Sequence, residues 1–339
     1  MKKKVSVLLF IIVYSILLCA YTAYTVLDTF VIRYEYQPVT PPNPEQGTFL
    51  PAGSNTTPAT AGGNGSLRPA PGDSTSGNSI DSTAEPAEET TKQPEFISDD
   101  TEYNDGRIHI TLRQIRAYDT DIYIADVVLA DPSYLIAVFA NDTAGENITE
   151  KTTSMAERSG AVLAVNGDFY GARKYGYVLR NGVIYRERAG NSDQEDLVIY
   201  KNGEMEIIRE RDTSLQALAD KGAWQVFSFG PGLVKNGEIS VGRSAEVGIA
   251  SSSNPRTAIG QIDTLHYVFV VSDGRLENDR GLTLYEMGEL MRDLGAKTAY
   301  NLDGGGSSTM YFNGRLINKP TTGGNKISER SVSDALCIR

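Results

Sequence analysis

The chain has 339 residues, a formal net charge of −11, two cysteines and two histidines. The acidic balance excludes a broadly basic nucleic-acid surface. Two cysteines and two histidines leave neither a disulfide-stapled scaffold nor a Cys/His zinc site.

Lys2, Lys3 and Lys4 precede an uncharged run from Val5 to Leu27. At about 1.5 Å per residue that run is long enough to cross the hydrocarbon core of a bilayer. The competing reading is a cleaved signal peptide, which needs small residues ahead of the cut. Leu18 and Tyr21 stand where those are wanted before Ala20 and Ala23, and Leu18 also disfavours lipid attachment at Cys19. The expectation is an uncleaved anchor spanning residues 5–27 within a 1–36 stub. Its basic end stays in the cytoplasm and everything after Arg33 lies outside the cell membrane.

Residues 37–105 hold ten of the fourteen prolines and few large apolar side chains, and they read as a disordered Pro/Ser/Thr/Glu-rich tether. Asp81 to Asp105 alone carries nine acids against Lys92, so the remainder of the chain is nearly neutral. Residues 106–339 suffice for one domain with its own core.

Strand signals dominate that domain, from Ile108–Leu112 and Ile122–Leu129 through Ala161–Val165 to Leu265–Val271. Asn-Gly pairs at Asn181, Asn202, Asn236 and Asn313 punctuate them as hairpin turns. Helices are expected near Lys151–Arg158, Ser214–Lys221 and Leu284–Leu294. The predicted class is α+β, a strand-rich single domain with about three helices behind a membrane helix and a tether.

Polar groups cluster just after apolar strands, where loops on a rigid scaffold carry function. The most distinctive stretch is Asn301-Leu302-Asp303-Gly304-Gly305-Gly306-Ser307-Ser308-Thr309-Met310. Three successive glycines are more than a plain hairpin requires, and they let a ligand approach the main chain beside a carboxylate. No lysine follows as in a phosphate-binding P-loop, and GxGxxG spacing is absent. The other clusters are Asn166-Gly167-Asp168-Phe169-Tyr170, Gly230-Pro231-Gly232, Asn254-Pro255-Arg256-Thr257-Ala258 and Ser272-Asp273-Gly274-Arg275.

These blocks, with Gly281-Leu282-Thr283-Leu284 and the terminal Glu329-Arg330-Ser331-Val332-Ser333-Asp334-Ala335-Leu336, resemble the phosphodiester glycosidase family over roughly Gly106 to Arg339. The resemblance implies hydrolysis of the bond between a sugar's anomeric carbon and a phosphodiester oxygen, and bacterial members are often labelled as exopolysaccharide-related. The expected partner is a sugar-phosphate or anionic glycan substrate in the envelope. A non-catalytic module that binds such a glycan and a hydrolase that cleaves the P–O bond are the rival readings.

Such a reaction needs a carboxylate at the anomeric carbon, and cationic stabilisation of a leaving phosphate. Asp303, Asp168 and Asp273 are the catalytic candidates, with Asp303 ranked first. Arg256 and Arg275 can grip phosphate oxygens. Gly304, Gly305, Gly306, Ser307 and Ser308 offer N–H and hydroxyl donors, and Asn166 and Asn301 can hold sugar hydroxyls or orient the acids.

Plainer roles compete. Asp168 can cap the turn after its strand, Asp273 can be a turn residue, and Arg256 and Arg275 can form structural ion pairs. Arg330 is a weaker phosphate candidate. Tyr170 and Tyr175 could stack on a sugar, whereas Trp224 reads as a core anchor and His109 and His266 as sheet-face residues. Clustered Asp and Asn oxygens suit calcium or magnesium, but with no EF-hand pattern the reading assigns no metal and no cofactor.

Overall fold

The computed structural model describes residues 2–39, 97–98, 100–190, 193–245, 253–324 and 326–339. Most of the expected tether lies outside the described residues. Its two described ends are built into the fold. Val39 donates its N–H to the Ile184 carbonyl at 2.8 Å, just after the stub residues Tyr34–Glu35 pair with Gly145–Glu146, and Glu102–Asn104 pairs with the strand Ile108–Ala117.

Four helices are present among the described residues: α1 (Lys2–Phe30), α2 (Thr152–Ser159), α3 (Leu215–Asp220) and α4 (Leu284–Asp293). The last three lie where the sequence places them. Helix α4 begins on a capping box, in which Thr283 accepts from the Glu286 amide while the Glu286 carboxylate accepts from the Thr283 amide. Left-handed Gly160 ends α2, a conformation that needs no Cβ to be accommodated.

Three large antiparallel sheets carry most of the strands among the described residues, and three two-stranded pairs complete them. A nine-stranded sheet has the central run Thr298–Asn301, Thr257–Asp263, His266–Ser272, Thr120–Leu129, Ile108–Ala117. One five-stranded sheet centres on Leu163–Asn166, between Met310–Phe312 and Asp334–Ile338. The other centres on Ala223–Phe227, between Val178–Arg180 and Glu195–Tyr200.

The two-residue period of a strand divides the large sheet into two cores. Tyr123, Ala125, Val127, Tyr267, Phe269 and Val271 face the other sheets with Leu163, Leu197, Phe227 and Leu336. Their neighbours Ile122, Ile124, Val268 and Val270 face the opposite way, onto Leu284, Met287 and Met291 of α4. A substantial face on each side is thus covered, which is why several strands read as continuous apolar runs. Trp224 is buried and donates its indole N–H to the Leu135 carbonyl at 2.9 Å, as a core anchor should. Cys337 is fully buried in the strand Asp334–Ile338, and Cys19 lies on α1.

This packing gathers strand ends. Asn166 ends a strand of one five-stranded sheet, while Asn301 ends and Thr257 starts two neighbouring strands of the nine-stranded sheet. The candidate site is built where they meet.

Candidate active site

Asn166 is the buried joint of the site. Its side-chain amide donates to the Asp303 carbonyl at 2.7 Å, and its Oδ1 accepts from Thr257 Oγ1 at 2.8 Å and from the Thr309 amide at 3.2 Å. Asn301 donates to the Gly230 carbonyl at 2.8 Å. Both side chains are completely buried, so they fix the glycine loop rather than meet a sugar. Ser308 is likewise fully buried.

The loop holds Asp303 at its edge. Asp303 Oδ1 accepts from the Gly304 amide at 2.9 Å, and Oδ2 accepts from Ser307 Oγ at 2.5 Å and from Arg330 at 3.1 Å. Arg330 also donates to Ser307 Oγ through Nε at 3.0 Å. Burial pushes the Asp303 carboxyl above its usual range, against the opposing pull of Ser307, Arg330 and the Gly304 amide. The result is a shielded, oriented carboxylate whose side chain keeps 10% exposure beside a half-open arginine.

Two clefts meet at this pair. The first is lined by Asn147, Thr149, Phe169, Ser331 and Ser333 together with Asp303, Ser307 and Arg330. It offers amides, hydroxyls and one aromatic ring, the donors and surfaces that suit a neutral polyol. The second is lined by Asn254, Arg256, Arg275, Phe229 and the three glycines, again with Asp303 and Arg330. Three guanidinium groups against one carboxylate make it an anion pocket. Burial and the neighbouring charge of Arg275 lower the Arg256 guanidinium to about 10.

The glycines serve this cleft through close approach. A Cβ at Gly304 would lie 2.9 Å from the Pro255 carbonyl, and one at Gly305, whose φ is +61°, would lie 2.8 Å from an Arg275 nitrogen. The loop amides are mostly committed: Gly304 to Asp303, Gly305 to Pro255, Ser307 to Gly304 and Ser308 to Gly305. Expected backbone donors therefore give way to guanidinium groups. Arg330, the weaker candidate in the sequence, lines both clefts together with Asp303.

The other two aspartates are turned elsewhere. Asp168 borders the first cleft, yet its side chain has no exposure. It accepts from the Tyr170 and Ser228 amides at 3.0 and 2.9 Å and from Arg180 at 2.9 Å, while Arg180 also donates to Asp334 at 2.8 Å. Asp168 therefore belongs to a sealed carboxylate–guanidinium–carboxylate bridge. Asp273 lines neither cleft. It accepts from the Lys319 amide at 2.7 Å and from Tyr123 Oη at 3.2 Å, and burial raises its carboxyl.

Asp121, Asp273 and Asp279 form the one acidic cluster among the described residues with the spacing for a metal ion. Lys319 Nζ lies 3.4, 3.7 and 3.9 Å from their oxygens, and Arg116 reaches Asp121 and Asp279. Those cations already neutralise much of the charge a divalent ion would need.

The remaining candidates separate cleanly. Tyr170 is 1% exposed and packs against Arg180, so the aromatic of the first cleft is its neighbour Phe169, 38% exposed. His109 pairs with Glu102 and His266 with Asp126 on sheet faces.

The model of the phosphodiester glycosidase family matches residues 159–339, which is more than half of the chain. The chain belongs to the phosphodiester glycosidase family. The matched span contains Asp168, Arg256, the Asp303 loop and Arg330. Among relatives of this phosphodiester glycosidase domain, the SPbeta prophage-derived protein YomE of Bacillus subtilis is 34% identical over 57% of the chain and 30% of its own length. N-acetylglucosamine-1-phosphodiester alpha-N-acetylglucosaminidase of Mus musculus is 36% identical over 26% of the chain and 19% of its own. The chain thus spans about a third or less of the length of these two relatives. The zebrafish N-acetylglucosamine-1-phosphodiester alpha-N-acetylglucosaminidase catalytic domain shares the fold, with a TM-score of 0.54 at 20% identity over 69% of this chain and 83% of that one.

Proposed function

We propose that the protein is an extracytoplasmic hydrolase that cleaves the glycosidic bond of a sugar 1-phosphodiester in envelope or exopolysaccharide glycans. The observation that carries this reading is the sharing of Asp303 and Arg330 between a cleft whose other open side chains are amides, hydroxyls and a phenyl ring and a three-arginine cleft. A substrate with a sugar on one side and a phosphodiester on the other matches that division, and its scissile bond falls at the shared carboxylate.

In this reading the sugar occupies the first cleft, with Phe169 against its ring. Asp303 acts at the anomeric carbon, either by taking a proton from attacking water or by direct attack. Arg256, Arg275 and Arg330 hold the phosphate as its oxygen gains charge. A phosphate monoester is a weak base, so this electrostatic grip replaces a strong general acid.

Helix α1 contains a 19-residue stretch, Phe10–Asp28, of mean hydropathy 2.0, and in this reading it anchors the chain in the cell membrane. Hydrolysis in oxygen-18 water tests the chemistry. Label in the released sugar supports C–O cleavage, whereas label in the phosphate refutes it in favour of a P–O cleaving enzyme. Retention of the diester with no product leaves only a glycan-binding module.

A further inference from the structure

The end of α1 is fastened to the rim of the first cleft. Asn147, which lines that cleft, donates its side-chain amide to the Ile32 carbonyl at 2.7 Å and to the Asp28 carbonyl at 3.4 Å. Its own backbone N–H bonds to the Gly171 carbonyl at 2.9 Å on the same rim. Lys174 pairs with Asp28 and lies over the Tyr34 ring. The chain then runs along the domain: Tyr34 and Glu35 pair with Glu146 and Gly145, Tyr36 N–H bonds to Ala144, and Val39 N–H bonds to Ile184.

This contact is built rather than incidental. A Cβ on Gly145 would sit 2.1 Å from the Tyr34 carbonyl oxygen, so only glycine admits the strand. Tyr36 Oη is held by Glu146 at 2.8 Å and by the buried Arg186 at 3.0 Å. The long segment that follows Val39 therefore does not separate domain from helix. The chain is on the domain at Val39, and it is in the domain sheet at Ile97–Ser98.

Val31, Tyr34 and Tyr175 stand exposed around this junction at 59%, 40% and 53%, beside Arg33 and Lys174. Exposed tyrosines and basic residues at the end of an apolar helix are the groups that settle at a membrane–water interface.

We propose that this clasp holds the mouth of the site at the bilayer surface, and that the substrate is a glycosyl phospholipid: a sugar 1-phosphodiester whose second ester is a membrane-embedded lipid alcohol. The inference rests on the glycosidase reading above and names its substrate class. In the step, water attacks the anomeric carbon and gives its proton to Asp303. The anomeric C–O bond breaks with its electron pair left on phosphate, which stays on the lipid as a monoester beside the three arginines. A mouth fixed at headgroup height meets such a phosphate without leaving the plane of the membrane.

The test uses the full chain in phosphatidylcholine vesicles. An inserted twenty-residue Gly/Ser segment between Phe30 and Val31 spans about 25 Å on average. It frees the domain from the helix while leaving the docked strand Tyr34–Glu35 in place. The probes are N-acetylglucosamine 1-phosphate esterified to a long-chain isoprenol in the vesicles, and to methanol in solution.

Insertion is expected to lower turnover of the vesicle substrate at least tenfold and that of the soluble one less than twofold. Equal vesicle rates for the wild type and the insertion variant overturn the proposal. If the wild type cleaves neither probe, the glycosidase reading is what fails, and placement is decided separately by Tyr175→Cys in a Cys19→Ser background carrying a fluorescent label. Quenching by headgroup spin-labelled lipid, more than twofold stronger than in the insertion variant, supports the clasp, and equal quenching overturns it.

Discussion

Two clusters in this domain pair carboxylates with arginine, and they differ in almost everything else. At Asp303, one carboxylate meets an arginine that is 40% exposed, in contact with two clefts. At Arg180, one guanidinium lies between Asp168 and Asp334 with none of the three side chains exposed. Both were built from strand ends and the loops beside them. The first leaves its charge where a ligand can reach it, and the second spends its charge on joining the Asp334–Ile338 sheet to the Val178–Arg180 sheet. Proximity of an acid to a base therefore says little about catalysis until the exposure of both is known.

The sharpest way to break this comparison is Asp303→Asn. It should lower kcat by at least about 10³-fold, the scale of a lost acid–base or nucleophilic group, with little change in thermal midpoint. Retained turnover of sugar 1-phosphodiesters would remove Asp303 from the chemistry. Arg180→Leu should do the opposite. Stripping the cation from two buried acids costs roughly 3–5 kcal/mol, seen as a fall of about 10 °C or more in the melting midpoint. A variant as stable as the wild type would refute the bridging role.

A smaller effect is expected at the anion cleft. Arg275→Ala should reduce kcat/KM by about tenfold to a hundredfold, the loss of one charge-assisted hydrogen bond, and steady-state kinetics on charged and neutral aglycones would show whether phosphate is what it grips. The gentlest test is pH. Burial pushes the Asp334 carboxyl up to about 7 against the pull of Arg180. A carboxyl that holds its proton more tightly when folded contributes stability at low pH and loses it as pH rises from the unfolded value through 7. Melting midpoints should therefore decline between pH 5 and 8, less steeply in Asp334→Asn, and a flat profile in the wild type would contradict the assignment.

Much of the fold was legible because periodicity is local. Helices near 152, 215 and 284 and the Asn-Gly hairpins came directly from spacing and turn chemistry. The Asp303 loop was legible as a special turn because three glycines beside a carboxylate cost more than a plain turn requires. The roles of Asp168 and Asp273 were not. Nothing in Asn-Gly-Asp-Phe-Tyr tells that Arg180, twelve residues later, turns back onto Asp168. Nor does Ser-Asp-Gly-Arg reveal Lys319 closing over Asp273. Arg330 was ranked low for the same reason, since its partners Asp303 and Ser307 lie more than twenty residues away in the chain. The fastening of Tyr34–Val39 was hidden too, because its pairing partners lie more than a hundred residues away.

The placement of Cys337 has a practical corollary for handling the protein. Its thiol is fully buried, and burial pushes it up to about 12, so thiolate chemistry is closed to it. The other cysteine sits on the apolar helix, so no intradomain cross-link is available to form or to shuffle. The folded region should thus reach the same native state in reducing and oxidising surroundings, and preparations with and without dithiothreitol should melt together.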